Sequence, residues 1–249
     1  MTRYSAIALV FLSIGTAAAA DKTFDRTFAV SPGGTLTVDA DSASVRVSGG
    51  DTNKVAVHMV AHGTDEELAS MKLDAVQNDG GVTVTMRRAK KGGWFNWGSW
   101  HSEEKIEITV PRQYGVNVQT GGGSVELADT NGTAVLKTSG GDIDARNLNG
   151  NVEARTSGGG IRADRIRGDV DASTSGGDVR LLNVDGKIRG NTSGEATYPG
   201  AGGAGVSLYR ARGSDWAGHL LSSRALSVLG ARGHRCGGAG HAGRHHPAL

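Results

Sequence analysis

An 18-residue repeat constrains the fold of this chain more than any other feature of its sequence. Five threonines recur with this 18-residue spacing, at Thr120, Thr138, Thr156, Thr174 and Thr192. Each of the four complete units carries a glycine pair two and three residues after its threonine, and a single glycine twelve residues after it. Glycine accepts the left-handed backbone of tight turns, so both places predict turns. A strict period of this length predicts units that stack on one another.

Apolar residues alternate with polar residues between these turns. The apolar positions lie five, seven, fourteen and sixteen residues after each threonine, and in the unit that begins at Thr138 they are Ile143, Ala145, Val152 and Ala154. A spacing of two is the period of a β-strand. Each unit therefore has two short strands with one apolar face, which only stacked neighbours can bury. We predict an all-β fold, a parallel β-solenoid with 18-residue coils. An antiparallel meander of hairpins is the alternative, and the strict register disfavours it.

One further position continues the apolar pattern inside the predicted turn. It lies ten residues after each threonine, and we expect it to form an additional ladder in the core. The four residues are Thr130, Leu148, Ile166 and Val184.

The N-terminal half, residues 21–118, has strand patterns without the strict period. Alternation predicts strands over 35–40, 43–49, 54–63, 81–88 and 105–110. Thr64 is a suitable N-cap for a short helix over 65–73, because acidic residues follow it in the first turn. We interpret this half as a β-rich N-terminal cap with early coils, which covers the first edge of the solenoid.

Several elements carry a resemblance to a known family. They are the Pro32-Gly33-Gly34 turn, the ITVP element that ends at Pro111, and repeats of the form TSGGDI…NGNVEARTSGG. Over residues 24–194 the chain resembles the bacterial putative-adhesin family of β-strand-repeat proteins, also described as toast-rack-like. The resemblance implies a β-solenoid of the cell envelope. It implies little about activity, and no catalytic residues come with it.

The first twenty residues have the pattern of a secretory signal peptide. Arg3 supplies a positive charge, residues 6–14 form a short apolar run, and Ala18, Ala19 and Ala20 form a small-residue cleavage site. We expect the mature chain to begin at Asp21 and to be exported to the periplasm or the cell surface. The apolar run is too short to span a bilayer comfortably, and the sequence predicts no later transmembrane segment.

The C-terminal residues 195–249 depart from the repeat. They contain no Lys, six Arg, five His and twelve Gly, and we expect the 18-residue rhythm to end at Gly194. Two explanations remain open: a shifted reading frame, or a genuine irregular tail. Cys236, the single cysteine of the chain, excludes an internal disulfide. With the neighbouring histidines it matches no standard zinc spacing, so no metal site is predicted there.

The distribution of charge and of acidic residues limits the functional classes. Residues 21–194 carry 20 Lys and Arg against 23 Asp and Glu, so the body of the protein has no general attraction for nucleic acid. The repeats lack the second Asp-containing half that calcium-binding nonapeptide repeats need, so no metal or other cofactor is predicted. We expect a non-catalytic envelope protein with a structural or adhesin-like binding surface. The alternative is a carbohydrate-active enzyme, a polysaccharide lyase or hydrolase, whose candidate acids are Asp142, Asp144, Asp171 and Asp178.

The most informative feature outside the repeats is the stretch RRAKKGGWFNWGSWH, residues 87–101. It holds three of the four tryptophans of the chain. Exposed Trp beside Lys and Arg is suited to contact with an envelope glycan, an anionic lipid surface or another envelope protein. The alternative is that the aromatic rings fold back and cap the solenoid. The candidate contact residues are Arg87, Arg88, Lys90, Lys91, Trp94, Phe95, Trp97 and Trp100.

Overall fold

A computed structural model describes residues 20–88, 104–198 and 206–211. These residues form strands and one short helix, α1 (Asp65–Ser70), which lies between β4 and β5. The strands are β1 (Ala20–Ala29), β2 (Thr35–Ala40), β3 (Ser44–Gly50), β4 (Lys54–Gly63), β5 (Met71–Asn78), β6 (Gly81–Arg88), β7 (Glu104–Pro111), β8 (Gly115–Thr120), β9 (Val125–Ala128), β10 (Ala134–Lys137), β11 (Ile143–Asn149), β12 (Val152–Arg155), β13 (Ile161–Arg167), β14 (Val170–Ser173), β15 (Val179–Asp185), β16 (Ile188–Thr192), β17 (Ala196–Thr197) and β18 (Val206–Ala211). In this part of the chain, no helix is long and apolar enough to cross a membrane.

The strands form two nine-stranded sheets. Sheet A has the order β1-β4-β7-β3-β9-β11-β13-β15-β17, and sheet B has the order β18-β16-β14-β12-β10-β8-β2-β6-β5. From β7 to β18 the chain alternates between the sheets, so each pair of strands makes one coil. The antiparallel pairs β1–β4, β4–β7 and β5–β6 lie at the N-terminal end, and the pairs between coils are parallel. The predicted all-β parallel solenoid is confirmed.

The register between coils follows the sequence repeat. Ile161 pairs with Ile143 on one side and Val179 on the other, which are the equivalent residues of the adjacent units. In sheet B, Val170 pairs in the same way with Val152 and Ile188. The predicted inward positions are buried in every complete unit, and Arg162 and Arg180 face outward.

The ladder ten residues after each threonine is also buried, and a backbone feature explains it. The residue just before it adopts a left-handed conformation with φ of 51–61° in each coil. This local change of direction breaks the alternation and turns the following side chain inward. Asn and Asp tolerate that conformation better than other side chains, and three of the four positions carry one. The residues are Asp129, Asn147, Arg165 and Asn183.

The repeated threonines are buried and join each coil to the one before it. The hydroxyl of Thr156 donates a hydrogen bond of 2.9 Å to the carbonyl oxygen of Gly141, and that of Thr174 donates one of 2.8 Å to Gly159. The same hydroxyl of Thr156 accepts from the backbone N–H of Gly159 at 3.4 Å. Burial of the hydroxyl is therefore compensated, because it has partners in its own coil and in the preceding one.

The second glycine of each pair is needed for close approach of the coils. A Cβ atom on Gly159 would lie 2.1 Å from the carbonyl oxygen of Gly141 in the preceding coil. The single glycine twelve residues after the threonine also lies close to the preceding coil, since a Cβ on Gly168 would be 2.4 Å from the carbonyl oxygen of Gly150. Gly168 in addition has a φ of 145°, a conformation that favours glycine. The sequence predicted turns at both places, and close approach of the coils explains the glycine at both.

Side chains close the N-terminal end of the solenoid. Lys22 on β1 donates hydrogen bonds from Nζ to the carbonyl oxygens of Leu68 and Met71, at 2.9 and 2.7 Å. Arg26 donates to the carbonyl oxygen of Ala75 on β5 at 2.7 Å. These bonds join the edge strand of sheet A to the edge strand of sheet B and satisfy carbonyls at an exposed edge. The sequence pattern predicts a cap at this end but does not mark β1 or β5 as strands.

The short helix begins as predicted and ends earlier. Thr64 and Glu67 form a reciprocal capping box at its N-terminus. The hydrogen bond from the Thr64 backbone lowers the pKa of the Glu67 carboxyl. The helix ends at Ser70 rather than at Leu73, because the chain enters β5, which pairs along its whole length with β6.

Strand pairing continues beyond the position where the sequence repeat ends. Val206 on β18 pairs with Ile188, which keeps the spacing of the repeat, and Ala196 on β17 pairs with Val179. Parallel pairing uses backbone groups and does not need the side-chain pattern, so these two short strands are compatible with a sequence repeat that ends at Gly194, and that expectation stays a prediction. The predicted signal peptide, apart from Ala20, and residues 199–205 and 212–249, with the Cys236 group, lie outside the described residues.

We predict that Gly159→Ala destabilises the solenoid by about 2–3 kcal/mol, because its Cβ would overlap the backbone of the preceding coil. The neighbouring Gly158→Ala is the matched control, since a Cβ there would be 3.5 Å from the nearest atom, and it should cost less than about 0.5 kcal/mol. Denaturant unfolding of both variants measures the difference. Equal losses would show that the coils do not approach as closely as described.

We also predict that Ile161→Asp costs several kcal/mol, because Ile161 is 2% exposed and a carboxylate there would have no partner. Arg162→Asp changes the next residue, which faces solvent, and should cost less than about 1 kcal/mol. The midpoints of chemical denaturation compare the two variants. A similar loss from both would mean that the inward and outward positions are wrongly assigned.

Candidate functional site

The tryptophan-rich stretch joins the two sheets at a defined corner of the solenoid. β6 ends at Arg88 in sheet B, and β7 begins at Glu104 in sheet A. In the regular coils the chain passes from sheet B to sheet A through the short glycine turns, such as 138–142 between β10 and β11. Residues 89–103 stand in the place of such a turn and are much longer than it. The connection is therefore an insertion at the glycine corner.

A buried ion pair holds the two ends of this insertion together. The Glu104 side chain is 1% exposed, and one of its oxygens pairs with the Arg88 guanidinium. Its other oxygen, Oε2, accepts a hydrogen bond of 3.0 Å from the Ser42 hydroxyl. The backbone N–H of Arg88 donates to the Asp41 carboxylate at 2.8 Å. We call Ser42, Arg88 and Glu104 the corner clamp, since they fix both ends of the insertion against the neighbouring coil.

The structure describes two of the eight predicted contact residues. Arg87 lies on the outer face of β6 and pairs with Asp39, and this hydrogen bond raises the pKa of the Arg87 guanidinium. Arg88 belongs to the corner clamp. Both arginines are thus bonded to acids, which reduces the attraction for an anionic surface that the sequence predicted for them. The other six lie outside the described residues: Lys90, Lys91, Trp94, Phe95, Trp97 and Trp100.

The described surface beside the insertion carries small side chains. The adjacent turn contains Asp41 and Ser42, and the next contains Gly121 and Gly122. The N–H of Gly121 donates to the carbonyl oxygen of Asp41 at 3.0 Å, so these turns stack directly. These two turns therefore place no large side chain next to the clamp.

The acidic residues considered for catalysis are divided between the two sheets. Asp171 lies on β14 in sheet B, whereas Asp144 lies on β11 in sheet A. Asp144 accepts from Arg146 Nε at 2.6 Å, and Asp178 accepts from Arg180 at 3.1 Å. Asp142, in the turn before β11, accepts from the backbone N–H of Gly160 at 2.7 Å. The structure therefore does not bring these four carboxylates together.

Two further features concern metal binding and an open cavity. Within residues 20–88, 104–198 and 206–211, no three His, Cys, Asp or Glu side chains are grouped to hold a metal ion. An open cavity of about 610 Å³ lies beside the loops that follow β3 and β7. It contains an Arg112–Asp51 ion pair with an Nε–Oδ1 distance of 2.7 Å, which lowers the pKa of the Asp51 carboxyl. No sequence motif marks this cavity.

We predict that Glu104→Gln costs about 3 kcal/mol of stability, because it leaves the Arg88 guanidinium partly buried without its carboxylate. The control is Glu107→Gln on the same strand. Glu107 is 39% exposed and pairs with Lys105 at 2.7 Å, so its loss should cost less than about 1 kcal/mol. Thermal or denaturant unfolding separates the two variants. If Glu104→Gln were as mild as its control, the clamp would contribute nothing to the corner.

Comparisons with known proteins identify the family. No curated protein sequence matches the chain. Among solved structures, a putative cell adhesion protein from Clostridium sporogenes aligns at 11% identity and a TM-score of 0.37, covering 71% of this chain and 100% of that one. A putative lipid binding protein from Parabacteroides distasonis aligns at 15% identity and a TM-score of 0.33, covering 74% and 97%. A putative adhesin from Bacteroides fragilis aligns at 14% identity and a TM-score of 0.31, covering 75% and 96%. The model of the Toastrack DUF4097 family matches residues 34–197, which is more than half of the sequence, and the chain belongs to this family.

Proposed function

We propose that the protein is an exported, non-catalytic component of the bacterial cell envelope that binds an envelope glycan through the insertion between β6 and β7. The observation that carries the proposal is the placement of this insertion. It replaces a short glycine turn at one corner, and the corner clamp with its 1% exposed Glu104 side chain anchors it. A rigid scaffold that carries one long connection is a common arrangement for binding sites.

The composition of the insertion supports a contact role. Trp94, Trp97 and Trp100 follow one another at intervals of three, with Lys90 and Lys91 just before them. Tryptophan combines a large apolar surface with a hydrogen-bond donor and is over-represented at the centres of binding interfaces. Glycines at positions 92, 93 and 98 allow the backbone turns that present several rings on one side.

The charge of the described corner favours a glycan over an anionic membrane. Arg87 and Arg88 are bonded to Asp39 and Glu104, so they add little attraction for anionic lipid. Within residues 21–88 and 104–198 the single large apolar side chain that is exposed is Val76, on β5. A membrane-binding face would need more exposed apolar surface around the insertion.

The N-terminal sequence supports export. Arg3, the apolar run over 6–14 and the three alanines at 18–20 form the three regions of a signal peptide. Export would place the solenoid in the periplasm or at the cell surface, where envelope glycans are accessible.

We predict that replacing Trp94, Trp97 and Trp100 together by Ala weakens binding to isolated cell-wall glycan at least about tenfold, because interface tryptophans often contribute about 2 kcal/mol or more each. The melting temperature should change little. Co-sedimentation with the glycan and a thermal melt measure the two quantities. Trp216→Ala, which changes the fourth tryptophan of the chain, is the matched control and should bind normally.

Three outcomes would contradict this function. A large drop in melting temperature of the triple variant would make the tryptophans a structural cap. Unchanged glycan binding in the triple variant would show that the insertion does not contact the glycan. Tight binding of the unaltered protein to anionic vesicles, lost in the triple variant, would replace the glycan by a lipid surface.

A further inference from the structure

Several outward arginines of the coils pair with an acid two residues earlier in the chain, whereas Arg162 has no acid at that position. Three of these arginines bond to an acid two residues earlier, which lies on the same strand or just before the strand begins. These pairs are Arg146 with Asp144, Arg155 with Glu153, and Arg180 with Asp178. The equivalent position before Arg162 is Gly160, and Arg162 forms no ion pair within the described residues. The two adjacent coils carry Asp142 and Asp178 at the position of Gly160, and the first unit carries Ser124 there, so the coil of Arg162 lacks the acid of its two neighbours.

The surroundings of Arg162 do not replace the missing acid. Arg162 is exposed on the outer face of sheet A, in register with Asp144 on β11 and with Arg180 on β15. Asp144 already accepts from Arg146 Nε at 2.6 Å. The neighbour on the other side is a second cation. Like charges directly opposite each other on neighbouring strands are unfavourable.

The rest of the same cross-strand row is compensated. Across β7, β3 and β9 the row reads Glu107, Arg46 and Glu126. Arg46 lies 3.7 Å from Glu107 and 2.9 Å from Glu126, and its hydrogen bond lowers the pKa of Glu126. Over the row from Glu107 to Arg180 three arginines face three acids, and Arg162 and Arg180 are the two arginines that lie next to each other, at one end of it.

We propose that Arg162 and Arg180 form a binding site for the carboxylate groups of an acidic polysaccharide. Their strands lie about 4.8 Å apart, so the two guanidinium groups can approach one chain together. A guanidinium presents paired N–H donors that match the two oxygens of a carboxylate. The hydrogen bond of 3.1 Å from Arg180 to Asp178 uses one of its nitrogens, and the others remain donors. Gly160 itself carries no side chain, and the Asp142 carboxylate beside it already accepts from the Gly160 backbone N–H at 2.7 Å.

The same row argues for a single polymer chain as the ligand. A bilayer would meet the whole outer face of sheet A, including the acids Glu107, Glu126 and Asp144 that lie in the row. A thin polymer can contact the two arginines alone. This site is separate from residues 89–103 and does not depend on the function proposed for them.

The experiment measures the affinity for polygalacturonate, with neutral dextran and anionic vesicles as comparison ligands. Calorimetry or co-sedimentation is performed at about 20 mM salt, where surface charges are weakly screened, and again at about 500 mM. Arg162→Gln and Arg180→Gln should each weaken polygalacturonate binding about tenfold, which corresponds to one charged hydrogen-bonded contact. High salt should weaken binding of the unaltered protein, and dextran should not bind through these residues.

Two matched variants make the result specific. Arg155→Gln removes the same charge from an arginine on sheet B that is paired with Glu153, and it should leave the affinity nearly unchanged. Gly160→Asp restores the acid of the neighbouring coils, and it should weaken binding while Arg162 is still present. Denaturation midpoints near that of the unaltered protein show that all variants fold.

Several results would overturn the proposal. Equal losses from Arg155→Gln and Arg162→Gln would indicate general charge attraction rather than a site. Unchanged affinity in Gly160→Asp or in the two sheet A arginine variants would show that they do not contact the polymer. If Arg162 and Arg180 were needed for binding to the vesicles but not for binding to polygalacturonate, the site would be a lipid site. If polygalacturonate binding were lost in the triple tryptophan variant and unchanged in both arginine variants, the insertion would be the contact and this site would be excluded.

Discussion

Direct contact between the backbones of successive coils is the constraint on which the rest of this structure depends. At each glycine corner the coils approach so closely that a Cβ on Gly159 would lie 2.1 Å from the carbonyl oxygen of Gly141. The buried threonine hydroxyls bridge the same corner, as in the 2.9 Å bond from Thr156 to Gly141. Together they explain why every complete unit keeps the same length, because a coil of another length would move both the glycine and the threonine out of register.

The strand pairing differs between the two ends of the stack. At the N-terminal end, β1 and β5 run antiparallel to their neighbours, and Lys22 and Arg26 bond to the backbone carbonyls of α1 and β5. At the other end, β17 and β18 continue the parallel pairing beyond the last complete unit. The first arrangement ends the solenoid with side-chain donors, because an open strand edge would pair with other chains. The second keeps the backbone hydrogen bonds although the apolar pattern has ended.

The two proposed binding positions lie where the solenoid does not need a particular side chain. The insertion between β6 and β7 changes a turn, and its ends are secured by the corner clamp, so the coils on either side keep their register. The site proposed at Arg162 and Arg180 uses outward positions, where Gly160 in place of the Asp of the adjacent coils leaves the buried residues unchanged. In both cases the buried glycines, threonines and apolar ladders remain as in the other coils. The structure thus separates residues that build the coil from residues that are available for binding.

The amino-acid sequence by itself determined the solenoid, its 18-residue register and its inward positions. Few folds can bury apolar residues that alternate along short strands and recur every 18 residues. It also indicated that residues 87–101 differ from the repeats. Only the tertiary structure decided that Arg87 and Arg88 are paired with acids, since Asp39 is distant in sequence from Arg87, and Glu104 lies on a different strand from Arg88. It also decided that β6 and β7 lie nearer the N-terminal end of the stack than β2 and β3. Arg162 likewise lies beside Arg180 and beside Asp144, whose carboxylate is paired with Arg146. These contacts join different coils and sheets, and a local pattern along the chain carries no information about which partner a charged side chain will meet.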